Sequence, residues 1–402
     1  MVVLVADDFG VDFLTGYGEG ASPPCTPNID ALAAGGLLFR NAWANPVCSP
    51  TRAATLTGRY GFRTGLGSVG QTGVLPLSET ILPEALTGYA SSAIGKWHLG
   101  PQQAQMHPNN SGFGHFAGSI GGGVQNYFSW PKVVDGQSSN STTYVTTDTT
   151  NEAITAVTSM PEPWFAWVSF NAPHSPWHVP PSTLCTAPAC PNTWCDNLPP
   201  NPSNRDMGKA MVEAMDAEIG RFVNVLDLVA PNTIVLFMGD NGTPGQLSQA
   251  PFPGNHAKGT VYEGGVNVPL IARGPGIAQG ECAALVSCVD LFATVGELAG
   301  VPAATEDSVS LVPYFRNPSL SLRSTVYSET FSPNGGTLPF ADHDRAIRDS
   351  RYKLIRRTNQ PDEFYDLQLD AFESSNLLPG LSRAEQAAYD ALVAELVALG
   401  VD

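Results

Sequence analysis

The chain has 402 residues, a length that suits one large domain or two unequal ones. Its 20 lysine and arginine residues stand against 37 aspartate and glutamate residues, so the net charge at pH 7 is −17. Such an acidic chain argues against nucleic acid or an anionic membrane surface as a partner. No apolar run in the sequence approaches the length of a membrane span.

The first predicted element is a strand over residues 1–6, whose continuous apolar run is typical of a strand buried on both faces of a parallel sheet. Asp7 and Asp8 follow at its carboxyl end, where open α/β sheets bind their ligands. Holding two adjacent carboxylates ionised requires a cation. The alternative interpretation is an exposed Asp-Asp-x-Gly turn.

A helix that begins at Pro27 leads into a second predicted strand over residues 37–42, and the next helix is predicted within residues 48–59. Pro50 suits the first turn of that helix and Gly58 suits its end, while Ser49 or Thr51 can cap it.

Cys48 then lies at a helix N-terminus, where unpaired N–H groups and the helix dipole favour negative charge. Arg52, one turn further on, can point towards the same anion. The segment therefore predicts an anion site. The alternative is a buried structural thiol beside an ordinary helix start.

A capped helix over residues 76–86 precedes a predicted strand that ends at Lys96. In extended structure Lys96 and His98 face the same side, so a lysine and a histidine are directed together from another strand end. The alternative is a Lys-x-His segment on a solvated loop.

Residues 107–150 are rich in glycine and serine, and we interpret them as loops over the mouth of a pocket. Their aromatic side chains could hold an apolar or aryl substrate, and plain packing is the preferred alternative. These side chains are Phe113, Phe116, Tyr127, Phe128 and Trp130.

A buried strand over residues 164–170 is followed by Ala-Pro-His, which ends at His174. An amphipathic helix over residues 206–228 belongs to the core. The next buried strand, over residues 233–239, ends in Asp240 and Asn241.

Together with the earlier pair of aspartates, Asp240 and Asn241 form a hard, all-oxygen set suited to calcium, with magnesium as the alternative.

Seven cysteines occur, at positions 25, 48, 185, 190, 195, 282 and 288. Apart from Cys48 they form an even number, and Cys282 lies close enough in sequence to Cys288 to pair with it. This pattern favours a disulfide-permissive compartment, periplasmic or extracellular. No signal peptide is visible, which leaves a cytoplasmic location open. A zinc site in the 185–195 loop is disfavoured, because four residues separate its cysteines and no histidine lies among them.

The alternation of strands and helices predicts an α/β fold with a large, mostly parallel, doubly wound sheet flanked by helices. From about residue 310 the pattern changes to antiparallel strands over 346–356 and 363–367, followed by a helix from about 382 to 399. We therefore expect a large α/β domain over residues 1–310. A smaller C-terminal α+β subdomain with an antiparallel sheet and terminal helix is expected over 311–402.

Five separated segments resemble the type I, formylglycine-dependent sulfatases, an arylsulfatase-like branch of the alkaline phosphatase superfamily. They are Ala-Asp-Asp at 6–8, Cys-x-Pro-x-Arg with Leu-Thr-Gly-Arg at 48–59, Gly-Lys-Trp-His-Leu-Gly at 95–100, Ala-Pro-His at 172–174 and Lys-Gly-x-x-Tyr-Glu-Gly-Gly at 258–265. Tyr-Asp-Leu at 365–367 is also similar, so the resemblance spans nearly the whole chain. Asn267 departs from the family pattern, which usually has arginine there, and this departure concerns local packing more than chemistry.

The resemblance implies hydrolysis of a small sulfate monoester to an alcohol and inorganic sulfate. A maturation enzyme would oxidise Cys48 to formylglycine, whose hydrate attacks sulfur. Calcium would be held by Asp7, Asp8, Asp240 and Asn241, together with residue 48.

The resemblance also implies the roles of the surrounding side chains. Arg52, Lys96 and Lys258 would stabilise charge on the sulfuryl oxygens. His174 and Lys258 would serve the leaving alcohol, and His98 would promote the release of sulfate.

The net charge disfavours a long, densely sulfated polymer as substrate unless a local basic pocket overrides it. The nearest alternative function is a phosphonate monoester or phosphodiester hydrolase of the same superfamily. A non-catalytic binding protein on this fold is disfavoured, because the candidate catalytic residues are all intact. Relatives usually have a few more residues before the first strand, so we expect the native start to lie upstream of Met1.

Overall fold

The computed structural model describes residues 1–70, 73–185, 190, 193–301 and 305–402. Its strands are β1 (Val2–Ala6), β2 (Leu37–Trp43), β3 (Ala90–Lys96), β4 (His115–Ser119), β5 (Trp130–Val134), β6 (Gln137–Ser141), β7 (Trp164–Ser169), β8 (Val235–Gly239), β9 (Leu270–Arg273), β10 (Gly280–Ser287), β11 (Val326–Ser332), β12 (Asp342–Arg348), β13 (Tyr352–Arg357) and β14 (Glu363–Asp366).

The α-helices are α1 (Pro27–Ala34), α2 (Cys48–Thr57), α3 (Gly61–Thr64), α4 (Leu82–Ala85), α5 (His107–Asn110), α6 (Val145–Ser159), α7 (Asn204–Val229), α8 (Glu263–Val266), α9 (Asp290–Leu298), α10 (Val312–Arg316) and α11 (Arg383–Leu399). Short 3-10 helices cover Val11–Phe13, Thr15–Tyr17, Ser182–Leu184 and Gly254–His256. Among these described helices, none is long and apolar enough to cross a membrane.

The large sheet has ten strands in the order β10-β2-β9-β8-β1-β7-β3-β4-β5-β6. β8, β1, β7, β3 and β4 pair in parallel at its centre, whereas β9 is antiparallel to both of its neighbours. Every residue of β1 is buried, and alternate side chains enter two apolar clusters on opposite faces of the sheet. Helices α2 and α9 contribute to one cluster, and α1, α6 and α7 contribute to the other. The predicted mostly parallel, doubly wound sheet is confirmed.

A separate antiparallel sheet follows in the order β11-β12-β13-β14. Helix α11 packs against β12 and β13, and the side chain of Ser382 caps the start of this helix. The predicted smaller C-terminal sheet with its terminal helix is confirmed. The predicted single strand over 346–356 is two strands, because Asp349 accepts hydrogen bonds from the backbone N–H groups of Arg351 and Tyr352 in a tight turn.

The interpretation of residues 107–150 as loops over the pocket mouth is wrong for most of the stretch, which holds α5, β4, β5, β6 and the start of α6. The loop between β4 and β5 does border the pocket, since Gly122 and Gly123 lie against His98 and His174. The β5–β6 hairpin forms an edge of the sheet, and β6 is largely exposed, so it lacks the apolar alternation that marks a strand. The predicted helix over 76–86 shortens to α4, in which Pro83 occupies the first turn.

Two disulfides join Cys25 to Cys190 and Cys185 to Cys195. The prediction that Cys282 pairs with Cys288 is wrong, and both are buried free thiols. Five residues lie between them, and most of that stretch is extended strand, which places their Cα atoms roughly 20 Å apart, beyond the reach of a disulfide.

Candidate active site

The predicted site residues meet at one edge of the large sheet. Asp7 follows β1, Lys96 ends β3, His174 follows β7 and Asp240 follows β8. Because β3, β7, β1 and β8 are adjacent parallel strands, their carboxyl ends lie side by side and bring these residues together.

Cys48 is the first residue of α2 and is buried, with its Sγ 3.2 Å from His98 Nδ1. The N-cap residue is Val47, which makes no side-chain capping bond, so the predicted cap by Ser49 or Thr51 is wrong. Thr51 instead accepts a hydrogen bond from the Asn45 N–H and so fixes the turn that leads into the helix. Residue 48 therefore lies at a helix start, and the helix ends as predicted at Gly58, in a left-handed conformation.

Each of the three buried carboxylates at this edge pairs with a cation. Lys96 Nζ lies 2.6 Å from Asp7 Oδ2, and Arg52 Nη2 lies 2.7 Å from Asp240 Oδ2. Lys258 pairs with Asp8 through a short contact. The floor of the pocket is thus balanced in charge by the chain itself.

The guanidinium group of Arg52 forms more hydrogen bonds with the protein than the sequence indicated. Its guanidinium donates to Asp240 from Nε and Nη2, and Nη1 donates to the Lys96 carbonyl and to Ser169 Oγ. Since these donors are occupied by acceptors of the protein, the direct contact of Arg52 is with Asp240, whose position it fixes.

Two oxygen atoms at the pocket floor are buried without a hydrogen-bond partner, Asp7 Oδ1 and Asn241 Oδ1. Asn241 Nδ2 donates to Asp8 Oδ1 at 2.9 Å and to the Gly242 carbonyl, which turns its own oxygen away from these groups. One ligand atom each from Asp7, Cys48 and Asp240 lies within 4.8 Å of the other two. Unpaired buried oxygen atoms beside further carboxyl groups are the donor set that calcium or magnesium prefers, so the residues fit a hard divalent cation.

Burial shapes the protonation of the pocket. It raises the pKa of the Cys48 thiol and of Asp7. Burial also works to raise the pKa of Asp8, but Lys258 and then His174 outweigh it and hold the value at about 2. The opposite balance applies to Lys258, where burial favours the neutral amine but the Asp8 charge raises the pKa, so this side chain stays protonated.

The two histidines of the pocket are neutral near pH 7. Burial, and then the Lys96 charge, lower the pKa of His98 well below its usual value and that of His174 to about 4. His174 Nδ1 lies 2.8 Å from the Ser175 carbonyl, so in the neutral ring this nitrogen carries the proton and Nε2 is an acceptor.

The predicted site residues divide into a floor and a mouth. Cys48, Arg52, Lys96 and the metal-ligand candidates are buried, whereas His98, His174 and Lys258 are partly exposed. The last three are therefore the side chains that a substrate meets first.

The sequence reading missed several supporting residues. Tyr127, treated as packing, donates its hydroxyl to the carbonyls of Asn171 and His174 and so holds the chain behind the pocket histidine. Gly122 lies so close to His98 that an added Cβ would be 2.3 Å from Nε2. The Gly-Gly-Gly run at 121–123 was the available signal, because such a run permits close approach of the backbone.

A buried sulfur at a helix start, cations beside carboxylates and histidines at the mouth together form a pocket suited to an anionic group. The family model described as Sulfatase matches residues 1–301. A second model, described as N-sulphoglucosamine sulphohydrolase, C-terminal, matches residues 254–399. The chain belongs to the sulfatase family and is a sulfuric ester hydrolase.

Curated relatives and solved structures agree with this assignment. N-acetylgalactosamine-6-sulfatase of Sus scrofa is 32% identical over 379 residues, which cover 81% of this chain and 68% of the relative. Arylsulfatase A of Bos taurus is 30% identical over 460 residues, which cover 98% of this chain and 86% of the relative. The crystal structure of Ps i-CgsB in complex with k-i-k-neocarrahexaose is 27% identical, with a TM-score of 0.81, and covers 99% of this chain and 92% of that one.

Proposed function

We propose that this enzyme hydrolyses a small sulfate monoester through a formylglycine formed from Cys48. One observation carries the proposal: the Cys48 sulfur lies at the start of α2, 3.2 Å from His98 and beside oxygen atoms of Asp7 and Asp240. Hydration of the aldehyde would supply two hydroxyls on one carbon, one to attack sulfur and one to drive the later release of sulfate.

His98 is the base for release in this proposal. Its Nδ1 faces residue 48, and its lowered pKa keeps the ring neutral and able to accept a proton near pH 7. Lys96 and Lys258 are the cations that stabilise negative charge on the sulfuryl oxygens, since both side chains reach the pocket and lie against its aspartates.

His174 and Lys258 face the side where the alcohol departs. Both are partly exposed at the mouth, as is His98, whereas Cys48, Arg52 and Lys96 are buried. Arg52 positions Asp240 through two hydrogen bonds and acts on the chemistry through that carboxylate.

Asp7, Asp8, Asp240 and Asn241, with residue 48, are the residues that would hold calcium or magnesium. The bound cation would supply positive charge next to the sulfate group. The unpaired oxygens of Asp7 and Asn241 support this assignment.

We also propose a maturation enzyme as a transient partner and a disulfide-permissive compartment, periplasmic or extracellular, as the location. The two disulfides support that compartment. Residues 1–310 would form the catalytic domain and residues 311–402 the C-terminal subdomain.

Mass spectrometry of the peptide that contains residue 48 tests the modification, because formylglycine lacks sulfur. The matured enzyme should hydrolyse nitrophenyl sulfate, and Cys48→Ser should lower turnover by ~10³-fold or more with an unchanged melting temperature. Full turnover by the serine variant, or by protein with an unmodified thiol, would contradict the mechanism. Faster turnover of a nitrophenyl phosphonate monoester would favour the alternative hydrolase.

A further inference from the structure

Lys209 is a buried cation without an anionic partner among the residues that the structure describes. Its side chain lies in the second turn of α7 and is 2% exposed. The ammonium donates one hydrogen bond, to Ser22 Oγ at 3.2 Å, and lies 4.2 Å from the centre of the Trp194 ring. The other four lysines of the chain each form a salt bridge with a carboxylate.

A buried ammonium with two further donors is costly unless it finds an acceptor. Burial, and then the charge of Arg205, lower the pKa of Lys209 and outweigh the nearby carboxylates, none of which pairs with it directly. The undescribed residues include no aspartate or glutamate, so they offer no carboxylate to pair with it.

Lys209 lines an open cleft of about 790 Å³, which we call the Lys209 cleft. Ser22, Trp194 and Gln249 also line it, together with Ser203 and Arg205 at the start of α7. The first turn of a long helix presents unpaired N–H groups and the positive end of its dipole. The exposed Arg205 adds a second cation, which donates to the Leu247 and Ser248 carbonyls.

Three acidic side chains, those of Asp206, Asp12 and Glu213, lie near enough to Lys209 to raise its pKa, although none is within salt-bridge distance among the described residues. Asp12 Oδ1 accepts a hydrogen bond from Thr243 Oγ1 at 2.5 Å, and its Oδ2 is buried without a hydrogen-bond partner.

Asp206 lines the cleft, but its Oδ2 accepts hydrogen bonds from the N–H and the hydroxyl of Ser203. Glu213, one turn beyond Lys209, accepts from the backbone N–H groups of Cys25, Trp194 and Cys195.

The walls of the cleft are held in place independently of any ligand. One disulfide ties Cys25 to Cys190, and the second closes the loop that carries Trp194. Glu213 binds backbone on both sides of the same region. These bonds tie the described part of the cleft wall to α7 and to the segment that carries Cys25.

The cleft lies at the same edge of the sheet as the active site. Helix α7 connects β7 to β8, and in such a parallel crossover the helix begins at the carboxyl edge of the strands. Gln249, in the cleft wall, donates a hydrogen bond of 2.6 Å to the carbonyl of Asp12, four residues after Asp8. The loop that contains Gln249 joins Asn241 to Lys258, so one segment borders both places.

We infer that the Lys209 cleft is an accessory subsite that binds a second anionic group of the substrate, a sulfate or a carboxylate on a neighbouring sugar. The inference rests on the proposed function and narrows its substrate class to acidic oligosaccharides that carry the scissile sulfate and a further oxyanion. The half-buried Trp194 adds an aromatic surface beside the cation, which suits a sugar ring. This local positive site offsets the acidity of the chain as a whole.

Calorimetric binding in the Cys48→Ala background tests the inference without turnover. The three probes are a monosulfated disaccharide with a uronic acid, the same disaccharide with its carboxyl group reduced to an alcohol, and a disulfated disaccharide with no carboxylate. Lys209→Met should weaken binding of either dianionic probe at least tenfold relative to the reduced probe, and Lys209→Arg should restore most of the loss. Arg205→Met, at an exposed side chain, should produce a smaller loss in the same direction.

Arg383→Met is the matched control, because it removes one positive charge from an exposed position on α11. It should alter the three affinities by less than twofold. Equal weakening of all three probes by Lys209→Met, or no weakening with an unchanged melting temperature, would overturn the subsite. Absence of nitrophenyl sulfate turnover by the matured wild-type enzyme would instead overturn the proposed function, whatever the calorimetry shows.

Discussion

At the scale of single residues, each aspartate of the pocket floor forms an ion pair with a lysine or an arginine. Asp7, Asp8 and Asp240 are buried, and each has its own lysine or arginine within salt-bridge distance. A divalent cation would therefore bind carboxylates whose negative charges are already balanced by lysine and arginine side chains. The unpaired oxygens of Asp7 and Asn241 are the atoms that would gain most from it.

Removal of the metal should therefore affect activity more than stability. Exhaustive chelation should abolish sulfate ester hydrolysis, and added calcium should restore it. The melting temperature should fall only modestly on chelation, because the three lysine and arginine partners limit repulsion among the carboxylates. Calcium at about 100 times its dissociation constant should return about 2.7 kcal/mol of stability by mass action. Full activity after chelation, checked by elemental analysis, would rule out the metal site.

His174 provides a test of leaving-group assistance. Its pKa of about 4 means that the ring must gain a proton when the sulfate is bound in order to act as an acid. His174→Ala should lower the rate with an alkyl or sugar sulfate by about 10²–10⁴-fold. With nitrophenyl sulfate the loss should be much smaller, because the phenolate leaves without a proton. Equal losses on both substrates would leave His174 as a sulfate-binding residue only.

His98 should behave differently, because it faces residue 48 and not the departing alcohol. His98→Ala should slow a step after the alcohol has left, so steady-state rates should fall alike for good and poor leaving groups. Rapid mixing with nitrophenyl sulfate should show a burst of nitrophenol equal to the enzyme concentration. A rate that depends on the leaving group, with no burst, would place His98 in the first step.

At the scale of elements, the sequence predicts the buried strands and the polar residues that follow them better than it predicts exposed strands and helix caps. Continuous apolar runs such as Val2–Ala6 and Trp164–Ser169 identify buried parallel strands, and polar residues after them identify the site. The β5–β6 hairpin escaped prediction because its exposed faces carry no apolar period. The cap of α2 was predicted from residue type alone, whereas the fold assigns Thr51 to the preceding turn.

The glycine loop over residues 121–123 sets the position of His98. A Cβ at Gly122 would meet the imidazole Nε2 at 2.3 Å, so Gly122→Ala should displace the ring from residue 48. We expect a fall in kcat of about 10- to 100-fold, the cost of a displacement near 1 Å, with little change in melting temperature. Gly121→Ala is the matched control, because its Cβ would meet only the end of the Gln102 side chain, which can move aside. Equal activities of the two variants would show that His98 tolerates displacement.

At the scale of the whole molecule, one ionic cluster joins the two sheets. Lys353 of β13 contacts Glu263 of α8 at 3.1 Å and Glu373 at 2.7 Å. Glu373 also accepts a hydrogen bond from the backbone N–H of Glu263. Because Glu263 is joined to the large sheet through α8 and Lys353 belongs to the small one, the proposed domains should unfold together.

The contacts of this cluster could not be predicted from the sequence. Glu263 belongs to the matched Tyr-Glu-Gly-Gly segment, but its partners lie 90 and 110 residues further on, in a region read only as strands and a helix. Spacing along the chain contains no sign of such a contact. Only the folded arrangement of the two sheets reveals that one lysine contacts both carboxylates, with Arg348 as a second cation 3.3 Å from Glu263.

Lys353→Met tests the contribution of this ionic cluster, because it removes the ammonium group that contacts Glu263 and Glu373 and leaves both side chains buried. We expect a loss of about 3–5 kcal/mol in the free energy of unfolding, measured by urea denaturation. Burial raises the pKa of Glu373 to about 7, whereas at Glu263 the charges of Lys353 and then Arg348 outweigh burial and lower the pKa. Removal of the lysine would raise the folded-state pKa of both carboxyls. A raised folded-state pKa contributes stability below the unfolded value of about 4.5, and that contribution is lost as pH rises. The stability deficit of the variant should therefore be small near pH 5 and grow towards pH 8.

Adding Glu263→Gln and Glu373→Gln should remove this pH dependence. A stability deficit that is constant with pH would show that Lys353 acts through packing on Trp43 instead.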